Sequence, residues 1–75
     1  MKSFRVFTND RGMLRGVPMY SALKGVQELS AEAAARSVNP DFGVPHFAPI
    51  VAVEWPPKSK EAKDWLAKHV DGVRV

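Results

Sequence analysis

Cysteine is absent from this chain. Disulfide staples, thiolate nucleophiles and thiolate metal sites go with it. Histidine is scarce. His46 and His69 are the two present; neither stands in a His-Glu-x-x-His pattern or has a second histidine at ligand spacing. No apolar run approaches the ~18–20 residues that a membrane-crossing helix needs. Met1-Lys2-Ser3-Phe4-Arg5 has no apolar stretch behind its positive charge, so it does not read as a signal peptide. A cytoplasmic protein, complete from Met1, is the expectation. Close acidic pairs, a Gly-x-Ser-x-Gly elbow and a phosphate loop are also missing. Asp41-Phe42-Gly43 matches three letters of a kinase signature in a chain far too short for that fold. With no convergent catalytic groups in view, no enzyme, no cofactor and no metal site is expected.

What remains is a chain of 75 residues, enough for one domain. Such a chain buries only ~60% of the surface that its unfolded form exposes. At the usual stability per residue it is worth about 4–11 kcal/mol. Packing must supply this without staples. Phe4, Val6, Phe7, Ile50, Val51, Val53, Trp55, Trp65, Leu66 and Val70 are the expected core.

The net charge is +3, unevenly spread. Residues 1–27 carry Lys2, Arg5, Arg11, Arg15 and Lys24 against Asp10 alone, a net of +4. Residues 28–57 sum to −3 and residues 58–75 to +2. Basic ends that meet in the fold would form one positive face; a balance of this size is also ordinary for a soluble domain.

Ser3 to Thr8 alternates and is rich in aromatic and β-branched residues, which predicts a strand. Asn9-Asp10-Arg11-Gly12 supplies turn chemistry. Met13-Leu14-Arg15 is then expected to return beside the first strand. Residues 19–29 leave two readings: a strand over 26–29, or a helical seam through Ala22, Val26, Leu29 and Ala33. The strand is preferred, because a helix there would have to carry Gly25. Ser30 is the expected N-cap of an alanine-faced helix. Glu32 and Arg36 pair across one turn, and Pro40 stops the helix.

Ile50 to Trp55 is apolar on most of both faces, which predicts a central strand. Ser59 caps a last helix whose inner face is Ala62, Trp65, Leu66, His69 and Val70. Gly72 suits the position after it. Val73-Arg74-Val75 would fray or add an edge strand. The expected architecture is a small α+β domain, β-β-(β)-α-β-α, with both helices on one face of a mainly antiparallel sheet.

Binding is the function class left. Arg5, Arg11, Arg15 and Lys24, near Phe4, Phe7 and Tyr20, combine cations with rings. If the even face of the first strand is core, Arg5 and Phe7 share the open face; otherwise Phe7 packs under a helix. The segment 39–49 is stiffened by Pro40, Pro45 and Pro49 and holds Phe42, His46 and Phe47. A stiff loop loses little entropy on binding, and aromatics in it make anchors. Phe42 and Phe47 would alternatively fold back to cap the core, and His46 would serve structure rather than contact. His69, late in its helix, is expected to be structural.

The stretches Phe4-Arg5-Val6-Phe7-Thr8, Glu28-Leu29-Ser30-Ala31-Glu32-Ala33-Ala34-Ala35 and Ile50-Val51-Ala52-Val53-Glu54-Trp55 give an order that resembles small phage-encoded accessory proteins of the anti-CRISPR type. The resemblance is architectural and transfers no functional residue. It implies a non-enzymatic protein that binds and blocks a host macromolecular complex. Many such inhibitors are acidic mimics of nucleic acid; this chain is basic, with a pI near 9.6, so it would need an acidic protein surface or a nucleic acid as its target. The expected contacts are Arg5, Arg11, Arg15, Phe42, His46 and Phe47. A protein partner is the first expectation and direct nucleic-acid binding through the N-terminal region the alternative. No membrane is expected, and a homodimer through the strand edge near Val73-Arg74-Val75 or the Trp65 face remains open.

Overall fold

Lys2–Thr8 forms strand β1, as its alternating pattern predicts. The computed structural model describes residues 1–38 and 50–72. Five further elements of the described chain follow before the last helix: β2 (Met13–Leu14), β3 (Val17–Pro18), β4 (Ser21–Glu28), α1 (Ala31–Val38) and β5 (Ile50–Glu54), with α2 (Lys60–His69) at the end. The result is the expected α+β class.

The main sheet has the order β4-β1-β5, with both pairs antiparallel. Three expectations change here. Met13-Leu14 does not return along β1; it pairs with Val17-Pro18 in a small separate ribbon. The partner of β1 is β4, which runs over 21–28 rather than 26–29. The strand at Ile50 is not central but lies at an edge of the described sheet, with β1 in the middle.

The helices also sit differently from the expectation of one shared face. Phe4 and Val6 pack with Ala34, Ala35 and Ile50, which places α1 over the even face of β1. Phe7 packs with Val53, Leu66 and Val70, which places α2 over the odd face. Side chains alternate across a strand, and the β1–β5 register is regular from Phe4↔Glu54 to Thr8↔Ile50. Val6 and Phe7 therefore face opposite layers, yet both are 0% exposed. Two-sided coverage is why Ile50 to Val53 is apolar on both faces. It also settles the position of Phe7, which lies under α2 and not on an open face.

The local signals behave as the sequence suggests. The Ser30 hydroxyl accepts from the Ala33 amide at 3.1 Å, and the Ser59 hydroxyl accepts from the Ala62 amide at 3.1 Å. Each replaces a helix bond that the first turn cannot make. Arg36 and Glu32 pair at 2.7 Å on the exposed side of α1. Along β4 the register shifts opposite Val6 and Phe7, leaving Leu23 as an extra residue. A bulge and Lys24 on an edge strand discourage pairing with another chain. No helix among the described residues is long and apolar enough to cross a membrane.

Candidate interaction site

The ribbon β2–β3 is a two-residue hairpin, with Arg15-Gly16 between Leu14↔Val17. Its tight loop forces positive φ at both central residues, and these are 54° for Arg15 and 79° for Gly16. That pairing of signs is the one that matches strand twist, and it normally selects Asn-Gly or Gly-Gly. Gly16 meets the demand freely. Arg15 does not, since its Cβ crowds the following carbonyl oxygen in left-handed backbone.

Nothing among the described residues compensates at the tip. Met13 and Leu14 are 64% and 58% exposed, and Arg15 has no ion pair among the described residues. The base of the hairpin, by contrast, is tied down. The Met19 amide donates to the Gly12 carbonyl at 2.9 Å, and the Tyr20 amide donates to the His69 carbonyl at 2.8 Å. His69 Nδ1 donates to the Pro18 carbonyl at 2.7 Å. Its ring stacks on Trp65 with centroids 5.1 Å apart. His69 is thus the clamp between hairpin and α2, a structural role. The hairpin is a firmly rooted projection with a basic, apolar tip.

Arg5 lies on the odd face of β1, the face that α2 covers at Phe7, and is half-buried there. Its guanidinium carbon stands 4.2 Å from the centre of the Trp55 ring, within the range of cation–π attraction. Trp55 is held there by its amide, which donates to the Ser3 carbonyl at 2.8 Å. Directly across β4 from Arg5 is Gly25, and across from Ser3 is Gln27. These residues line a shallow cleft of about 350 Å³.

Arg5 also lines a second cleft of about 300 Å³ with Arg11 and Tyr20. The fold therefore brings Arg5 and Arg11 to one surface. Arg15 lines a different cleft, opposite Lys68 and Asp71. The candidates Phe42, His46 and Phe47 lie outside the described residues, as do the tail residues 73–75.

Four residues of this surface escape a sequence reading of contacts: Met13, Leu14, Gly25 and Trp55. The first two had a signal, because a two-residue Arg-Gly spacer between apolar pairs is hairpin spacing. Gly25 also had one, as a glycine inside a strand. Trp55 had none, since an aromatic ending an apolar strand reads as core. No group of three or more His, Asp or Glu side chains gathers among the described residues in a way that would hold a metal ion. No protein-family model, curated protein or solved structure matches the chain.

Proposed function

We propose that this protein works by binding, without catalysis, and that the β2–β3 hairpin is its principal contact. The target would be an acidic protein surface with an apolar recess, on a host macromolecular complex of the kind that inhibitors of the anti-CRISPR type block. The observation that carries the reading is Arg15. A non-glycine residue in left-handed backbone is strained by about 1–3 kcal/mol and persists where function holds it. Here it is presented at a tip whose neighbours, Met13 and Leu14, are exposed. Two apolar side chains between Arg11 and Arg15 suit a protein surface, where rings or aliphatic chains fill pockets and cations meet carboxylates at the rim. Phe42, His46 and Phe47 belong to the same proposal as a second anchor.

The test is capture from a bacterial lysate treated with nuclease, using tagged wild type and a Met13→Ser/Leu14→Ser double variant. A protein retained by wild type and lost from the variant, with melting unchanged, supports the reading. Capture that ignores the double variant removes the hairpin from the contact.

A further inference from the structure

Nothing among the described residues requires Gly25 to be glycine. Its φ is not positive. Among the described residues, a Cβ built there would meet only the Phe4 carbonyl oxygen, at 3.7 Å, an ordinary contact. Glycine inside a strand weakens it and marks places where something else approaches the backbone closely. What Gly25 leaves open is the floor of the cleft beside Arg5 and Trp55.

We infer that this cleft takes one nucleotide of a single-stranded nucleic acid, independently of the hairpin contact. The chemistry fits in three ways. First, the Arg5 guanidinium rests on the Trp55 ring. Bases stack on guanidinium planes as they do on aromatic rings, so this pair offers a base a flat partner. The N–H fork of Arg5 is left for a phosphate, and no carboxylate of the described residues pairs with it. Second, Ser3 and Gln27 face each other across β1 and β4 at the cleft, offering a hydroxyl and an amide to base edges. Third, the bare backbone of Gly25 lets a flat ring lie close.

Size agrees, because about 350 Å³ lies at the small end of ligand sites, ~300–1,000 Å³. The adjoining cleft shares Arg5 and adds Arg11 and Tyr20, with Asp71 its one carboxylate among the described residues, so its two cations outweigh the acid. Two neighbouring clefts, each with a cation and a ring, suit successive nucleotides of a strand better than one free nucleotide. An acidic peptide would use the fork of Arg5 alone and leave the stacking surface and the glycine floor idle. Residues 1–27 carry a net +4, the sign that a phosphate backbone requires.

The experiment is fluorescence anisotropy of a short labelled oligothymidylate with the full chain. Unlabelled thymidine monophosphate and a polyglutamate peptide serve as competitors. Binding should weaken about sevenfold from 50 to 200 mM salt if Arg5 and Arg11 each neutralise one phosphate. Gly25→Val should weaken it at least tenfold while the melting temperature holds or rises, because valine favours strands and fills the cleft. Arg5→Lys, which keeps the charge but loses the flat fork, should weaken it too, and decides the matter if Gly25→Val disturbs the fold. Binding unchanged in a folded Gly25→Val or in Arg5→Lys overturns the assignment. So does the absence of oligothymidylate binding, or displacement by polyglutamate. Thymidine monophosphate competing as well as the oligomer overturns the strand.

Discussion

Replacing Arg15 with asparagine should stabilise this protein. Arg15 sits at φ 54° and is followed by Gly16 at φ 79°. Left-handed backbone costs a residue with an ordinary side chain about 1–2 kcal/mol. Asparagine enters that region more readily, and Asn-Gly is the preferred pair for a two-residue hairpin of this kind. Unlike glycine, asparagine adds little freedom to the unfolded chain, so the gain is not offset there. Arg15 is exposed and has no ion pair among the described residues, so its side chain takes little stability with it.

Relief at a hairpin counts globally only if the hairpin unfolds with the rest. The His69 ring donates to Pro18 and the His69 carbonyl accepts from Tyr20, which ties it to α2, so the two are expected to unfold together. Arg15→Asn is expected to add about 1 kcal/mol, a rise of about 4–8 °C in melting temperature for a domain of this size. Arg15→Gly should gain less, by the ~0.4–1 kcal/mol that glycine loses through the unfolded state. Thermal and urea unfolding followed by circular dichroism read both. An Arg15→Asn variant no more stable than wild type would refute the strain argument, and with it the main support for the hairpin as the contact.

Two further substitutions test the architecture. Phe7→Ala opens a cavity among Val53, Leu66, Val70 and the rings of Trp55 and Trp65, 6.2 and 5.9 Å from that of Phe7. A loss of about 3–5 kcal/mol is expected, a large part of the total; a shift in urea midpoint worth under 1 kcal/mol would mean that α2 does not cover this face. His69→Ala removes the donor to the Pro18 carbonyl and the stack on Trp65. About 1–3 kcal/mol should be lost, with faster hydrogen exchange at the Met19 amide, whereas unchanged exchange would free the hairpin from α2.

Much of the local structure is legible because its causes lie within a few residues. Ser30 and Ser59 cap helices through contacts three residues on, and Glu32 reaches Arg36 one turn away. Pairing is less legible because its cause is distant. Met13-Leu14 and Val26 to Glu28 are both plausible partners for β1, and the choice turns on Arg15-Gly16. Once that pair closes its own hairpin, Met13-Leu14 is taken and the next strand goes to β1. The apolar character of Ile50 to Val53 on both sides predicts a central position. What it reports is cover on both faces, here by α1 and α2, and that is compatible with an edge. The same pattern already argues against two helices on one face, since a strand with two dry faces needs a layer on each.

The interaction surface was legible only in part, for a related reason. Arg5 and Arg11 stand out by charge alone, but their value depends on what the fold leaves open beside them. Gly25 and Arg15 point to that more directly, because each contradicts its own local structure. Glycine weakens a strand where a Cβ would meet only an ordinary contact among the described residues, and arginine occupies a turn that glycine or asparagine would fill with less strain. Natural sequences are mostly consistent across levels and break local rules where function intervenes. Both breaks fall within residues 1–27, the stretch with net charge +4. Neither lies in the two clusters that hold the fold together. Changing Arg15 to asparagine and Gly25 to valine should therefore leave the fold at least as stable and weaken binding. A merely tolerated imperfection would give the first effect without the second.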